Sequence, residues 1–370
     1  MSELGLRIPI PPLDRVLREH HLDQAAEEPF PNDGWSGASL TRLRRGGGDR
    51  FILKRDSPRQ DWIAQATRDG PVLREAWFAA RARIFDQFFS EAIRAPYLGV
   101  GMDGDGFGLL MPDLTGVLFD WARSIAVDDL ERVLAGLAAL HAYPWAGRKG
   151  FSDVLGDPAF NGGGPWCPLR ERVTLICRSS LEKAGPAREA VADRILPGWD
   201  AFDRAAPAAA RDLMSMLGED PRPLLGALAA QEHTLIHGDL KLANAGIAGD
   251  GVVEVVDWQM VSFAPIAVEI GWFLVANVAS LPVPPDDVVR RYRAHLAKGF
   301  LDPDDGWVRD EGADFDEGGI DAAILVGLLL RGWRKGMDAE AGITLGSGVS
   351  AADDLAWWCE RAVEAAGRIL

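Results

Sequence analysis

Two short apolar stretches, Thr234-Leu235-Ile236 and Val252-Val253-Glu254-Val255-Val256, flank the run His237-Gly238-Asp239-Leu240-Lys241-Leu242-Ala243-Asn244, and Asp257-Trp258 follows the second stretch directly. Asn244-Ala245-Gly246-Ile247 leads to a turn signal at Gly249-Asp250-Gly251, so the polar residues fall on a loop between short strands. Loops held by rigid strands commonly carry catalytic groups. Asp239 and Asn244 are five positions apart, and Asp257 lies thirteen beyond Asn244, past a hairpin that can fold it back beside them. Hard, oxygen-only donors of this kind suit Mg²⁺, which keeps several waters and takes one or two carboxylates plus phosphate oxygens. An acid left off the metal can accept the proton of an attacking hydroxyl. A plain hairpin turn accounts for Asp250-Gly251, but not for an acid, an amide and a second acid in this order.

The chain has 370 residues, enough for two lobes of ordinary size, and 48% apolar content marks it as globular. Its net charge of −16 opposes binding to DNA or RNA. Cys167, Cys177 and Cys359 have neither metal-ligand spacing nor an even count, which fits a reducing cytoplasm. The start has charge and proline where a signal peptide needs an apolar core. The apolar run Ala322 to Leu330 is too short to span a bilayer, so a cytoplasmic protein without membrane attachment is expected.

At the Asp239 loop the sequence resembles the kinase-like phosphotransferases, the family of aminoglycoside phosphotransferases and choline kinases. Their catalytic loop reads H-G-D-x-x-x-x-N, and their metal aspartate opens a D-W or D-x-D motif. The resemblance implies an α+β, bilobal protein-kinase-like fold, with a small N-terminal antiparallel sheet lobe and a larger, mainly helical C-terminal lobe. It implies transfer of the γ-phosphoryl group of ATP to a small-molecule hydroxyl, with Asp239 as base, Asn244 and Asp257 holding Mg²⁺, and Lys241 touching the transferred phosphate. The family's brace beneath the loop is an Asp, where this chain has Glu269, and the second acid of D-x-D is Gln259. Only twelve positions separate Asp257 from Glu269 and no Ala-Pro-Glu motif follows, which leaves little room for the activation loop of a protein kinase. A catalytically silent nucleotide-binding scaffold and a metal-dependent hydrolase remain as rival readings.

In chain order, residues 1–30 hold three prolines around a short helical pattern, Leu13, Val16 and Leu17, and read as an appended arm. Residues 31–114 read as the nucleotide lobe, opening on an antiparallel meander. The turn Gly34-Trp35-Ser36-Gly37-Ala38-Ser39 can bring backbone N–H groups against phosphates, and Ser36, Gly37 and Ser39 are its candidates. Lys54 ends the strand Phe51-Ile52-Leu53-Lys54; in the resembled family such a lysine contacts the nucleotide phosphates. It needs an acid to orient it. Glu75, on a helix from Val72 to Arg81, is the candidate, with Glu91 as the second choice. By the resemblance, the crossover after Phe107 to Met111 is the hinge, and backbone groups near Met111 to Leu114 hold adenine.

Residues 115–370 read as the catalytic and acceptor-binding lobe, with a helical insertion over about 147–230. His141, on the core face of a helix through Leu130, Val133, Leu134 and Leu137, reads as structural. Asp103 and Asp105 lack the further ligands a calcium loop needs. Residues 302–321 hold nine acids and one base, which reads as a solvated acidic loop or as an attractor for a cationic acceptor. Ser350 is placed to cap a final helix. Acceptor identity and oligomeric state have no readable code.

Overall fold

The computed structural model describes residues 10–31, 34–70, 72–89, 92–143, 166–302, 306–308 and 315–370. Glu91, most of the acidic stretch and residues 144–165 lie outside them.

The first lobe is built on one antiparallel sheet. After α1 (Leu13–Glu19) come β1 (Ala26–Pro29), β2 (Ser39–Arg44) and β3 (Arg50–Asp56). Short helices α2 (Trp62–Ala66), α3 (Arg74–Ala79) and α4 (Ala82–Phe89) precede β4 (Ile93–Arg94), β5 (Gly99–Asp103) and β6 (Gly106–Pro112). The sheet order is β1-β2-β3-β6-β5. Strand alternation decides which side chains face the cleft between the lobes. Leu53 turns to one face, into a small core with Leu13, Val16, Leu43 and Leu110; Ile52 turns to the other, into the main core, and Lys54 lines the cleft.

Two features of the N-terminal segment differ from an appended arm. β1 completes the sheet, pairing with β2 from Ala26↔Arg44 to Pro29↔Thr41. α1 covers the outer face: a Cβ on Gly101 would collide with the Leu13 backbone, and Pro12 bridges to Met102. β1 was not legible because Ala26-Glu27-Glu28-Pro29 lacks β-branched and aromatic residues; its strand is imposed by its neighbour.

After β6 the described residues are mainly helical: α5 (Val127–Ala142), α6 (Leu169–Thr174), α7 (Arg178–Glu182), α8 (Glu189–Ala205), α9 (Ala208–Glu219) and α10 (Arg222–Ala229). Small strands then frame the Asp239 loop. β7 (His233–Ile236) pairs with β10 (Ser262–Pro265), while β8 (Ala245–Ile247) and β9 (Val253–Val255) form a sheet with β4. α11 (Ile266–Ala276) is buried on every side from Ile266 to Val275, as expected of a helix apolar all round. The remaining helices are α12 (Pro285–Leu296), α13 (Glu317–Glu340) and α14 (Ala351–Ile369), the last capped by Ser350, whose Oγ accepts from Asp353 N at 3.1 Å. α11 and α13 approach so closely that a Cβ on Gly271 would strike the carbonyl of Ala323. Among the described residues no helix is long and apolar enough to cross a membrane.

Candidate active site

The Asp239 loop is held from three sides. His237 is fully buried; its Nδ1 accepts from Asp239 N at 3.1 Å, so the proton sits on Nε2, which donates to Val256 O at 3.0 Å. The link ties the loop to the end of β9, where Asp257 begins. Gly238 has φ +81, and a Cβ there would collide with Met260 O, so only glycine fits. Below, Glu269 on α11 accepts from Gly238 N at 3.0 Å and Leu240 N at 3.4 Å. The brace therefore exists, with Glu in place of Asp. Asn277 adds a second support: its Oδ1 accepts from Leu242 N at 2.6 Å and its Nδ2 donates to Leu240 O at 3.3 Å.

Asp257 sits at φ 69, a left-handed conformation that costs energy in a residue other than glycine and recurs at functional sites. Trp258 holds it there. That indole is fully buried, stacks on Phe78 with centroids 4.3 Å apart, meets the His237 ring edge-on and donates to Val255 O. The Asp-Trp pair is thus a carboxylate pointed by a buried anchor.

From the first lobe, Lys54 Nζ reaches Glu75 Oε2 at 2.6 Å and Asp257 Oδ1 at 2.6 Å. Tyr97 donates its hydroxyl hydrogen to Glu75 Oε1 at 2.6 Å, fixing the acid from its other side. Burial alone would lower the Lys54 ammonium; the two carboxylates outweigh it and hold the group well above its ordinary range. Burial would likewise raise Asp257, but Lys54 and Lys241 bring it below the usual carboxylate range. Lys241 Nζ lies 2.8 Å from Asp239 Oδ2.

These groups line one cleft of about 650 Å³ between the lobes. Ser36, Lys54, Glu75, Met111, Leu114, Asp239, Lys241, Asn244 and Asp257 all face it. Gly37 and Ser39 do not; Gly37, at φ +98, shapes the turn, and Ser39 opens β2. Asn244 spends its Nδ2 on Asp239 O at 3.1 Å, which leaves the amide oxygen for a ligand. An amide oxygen and an ionised carboxylate at the two ends of the β8–β9 hairpin form the hard, sparse donor set that Mg²⁺ takes when phosphate and water complete its shell.

A match to the model of the phosphotransferase enzyme family runs over residues 32–311. The chain belongs to this family. Solved structures similar to it include a putative aminoglycoside phosphotransferase from Ralstonia eutropha JMP134, with 12% identity over 97% of this chain and 98% of that one and a TM-score of 0.49. Others are the spectinomycin phosphotransferase APH(9)-Ia in complex with ADP and spectinomycin (11% identity, 96% of each chain, TM-score 0.47) and the choline kinase LicA from Streptococcus pneumoniae (10%, 96% and 99%, 0.46). A comparison with curated proteins finds no match. Membership rests on the family model, which spans most of the chain.

Several residues the sequence reading passed over belong to the site or support it. Tyr97 and Asn277 act through hydrogen bonds to groups far from them in sequence and leave no pattern. Arg172 donates Nε to Gly238 O at 2.6 Å from α6. Arg331 did leave a signal, a lone cation in the apolar run from Ile324 to Trp333. His141 is structural as expected: Nδ1 meets Tyr292 OH at 2.7 Å, and burial pushes the imidazole down to about 3. Asp103 pairs with Arg55 at 3.0 Å and Asp105 with Arg59 at 3.5 Å.

Proposed function

We propose that the protein transfers the γ-phosphoryl group of ATP to a hydroxyl of a small molecule. One observation carries this: Lys54, Asp257, Asn244 and Asp239, drawn from both lobes, line a single cleft with an apolar slot beside them. Asp239 aligns the acceptor hydroxyl and takes its proton as the oxygen bonds to the γ-phosphorus and the bond to the β,γ-bridging oxygen breaks, leaving ADP. Lys54, oriented by Glu75 and Tyr97, carries triphosphate charge, and Lys241 is near enough to Asp239 to touch the transferred group. Asn244 and Asp257 are the residues to hold Mg²⁺, which when bound neutralises charge on the phosphates. The turn around Ser36 closes over the phosphates, and Met111 to Leu114 offer backbone groups to adenine. On this reading residues 31–114 form the nucleotide lobe and residues 115–370 the catalytic and acceptor lobe.

The test is a mass-spectrometric screen of alcohols and sugars incubated with Mg-ATP and either the wild type or Asp239→Asn. The expected result is an acceptor heavier by one phosphoryl group, formed by the variant roughly 10²- to 10⁴-fold more slowly. ATP that binds but is never consumed would favour a silent scaffold, and phosphate release without a phosphorylated product would favour a hydrolase.

A further inference from the structure

The wall of the cleft beyond Asp239 is cationic. Arg172 on α6, Trp272 on α11, and Arg331 and Trp333 on α13 form it. The Arg172 guanidinium carbon lies 4.8 Å from the Trp272 ring centre, and that of Arg331 lies 5.5 Å from the same ring and 5.3 Å from Trp333. Two guanidiniums thus share one indole, an arrangement that orients them; along their edges, the Arg172 Nε is taken by Gly238 O, while its Nη2 and the Nε of Arg331 have no partner among the described residues.

Those edges want an acceptor. Arg172 Nη2, Trp272 Nε1, Arg331 Nε and Trp333 Nε1 are all buried and without a hydrogen-bond partner among the described residues, and Arg172 is only 2% exposed. All four are N–H donors. A buried donor left unpaired costs about 1–3 kcal/mol; such donors also occur away from the cleft, as at Trp358 and Arg361, but four clustered in one wall suit a ligand rich in acceptor oxygens. Gln259 Oε1, also unpaired, belongs to an amide that can present its NH₂ instead.

Both arginines stand beside the base: Arg172 donates Nε to the carbonyl of Gly238, the residue before Asp239, and both interact electrostatically with the Asp239 carboxylate. Burial lowers Arg331 to about 10, which leaves it protonated at neutral pH. Leu175, Ile176 and Met260 line the same cleft and give it an apolar floor.

Resting on the phosphotransferase reading, we propose that the acceptor is an apolar molecule carrying an oxyanion, a carboxylate or a phosphate, near its reactive hydroxyl, and that Arg172 and Arg331 receive that group. A bidentate guanidinium match to either oxyanion is strong and directional. An amino sugar or quaternary amine would meet two like charges here and is selected against. The acidic stretch offers such cations little in its described part: Asp316 caps α13 through Gly319 N, and Asp321 pairs with Arg368 at 2.7 Å.

The experiment uses four probes with one skeleton: 3-phenyllactate, the amine phenylalaninol, the neutral 3-phenyl-1,2-propanediol and the monophosphate of that diol. Each is titrated calorimetrically into full-length protein loaded with Mg²⁺ and a non-hydrolysable ATP analogue. One anionic probe is expected to bind at least about tenfold tighter than the amine, a difference of about 1.4 kcal/mol. The two anionic arms distinguish carboxylate from phosphate. Arg331→Gln is expected to abolish the preference, Arg331→Lys to keep most of it, and both to leave nucleotide affinity unchanged. Equal or tighter binding of the amine, anions no better than the neutral diol, or an Arg331→Gln effect confined to the nucleotide would overturn the inference and leave the kinase reading standing. Failure of the analogue itself to bind would remove both.

Discussion

Glu269 holds, from beneath, the backbone that carries Asp239. It is fully buried and its two oxygens serve two amides, so Glu269→Ala strands both donors at about 1–3 kcal/mol each. Chemical denaturation is expected to show a loss of roughly 2–5 kcal/mol, and Glu269→Gln, which keeps one acceptor oxygen, a smaller loss. Lys54 presents a different balance. Replacing it with Ala leaves Glu75 buried without its cation, which costs on the order of 3–5 kcal/mol, so Glu75→Gln is the cleaner probe of orientation. That variant keeps hydrogen bonding to Lys54 and Tyr97, and is expected to retain the fold while weakening nucleotide binding by about tenfold. Single residues were also where the sequence was most and least informative. That His237, Asp239, Asn244 and Asp257 come together was legible because they lie on one loop and at the far end of the hairpin behind it. Tyr97, Arg172 and Asn277 were not, because a buried hydrogen bond can come from any element that passes nearby.

At the level of elements, β3 carries Lys54 into the cleft and ends in a buried acid, Asp56, whose Oδ1 accepts from Ser57 N at 2.7 Å. Burial, reinforced by the Asp61 carboxylate, pushes Asp56 up to about 8. The folded protein therefore keeps a proton that the unfolded chain gives up near the ordinary value, 3.8, and stability falls as pH rises between those two values. Asp56→Asn, which mimics the protonated acid, is expected to raise the melting temperature at pH 7 to 8 and to change it little at pH 4; an equal effect at both would contradict this account. The α11 and α13 crossing is set by glycine. Gly271→Ala drives a Cβ into Ala323 O and is expected to cost about 1–3 kcal/mol by thermal unfolding. The apolar periodicity that made these helices and the meander legible reports burial, not partner. Hence β1, whose composition opposes a strand, and the docking of α1 onto the sheet appeared only in three dimensions.

Across the whole molecule, the lobes meet around the cleft through a few specific contacts. Lys54 reaches Asp257, Arg74 donates to Gln259 O at 2.7 Å, and Trp35 packs on Trp333 with centroids 6.3 Å apart. Two lobes were legible from chain length and from the change of pattern after Met111. The cationic wall of the cleft was not, because Arg172, Trp272 and Arg331 come from three separated helices. On the proposed function, side chains from both lobes converge on one magnesium-bound triphosphate. Calorimetric titration of a non-hydrolysable ATP analogue into the wild type and Asp257→Ala, each with Mg²⁺ and with a chelator, tests that convergence. Wild-type binding is expected to weaken by about tenfold or more on chelation, and the variant to bind weakly under both conditions. Wild-type affinity indifferent to the metal, or equal in the variant, would contradict it.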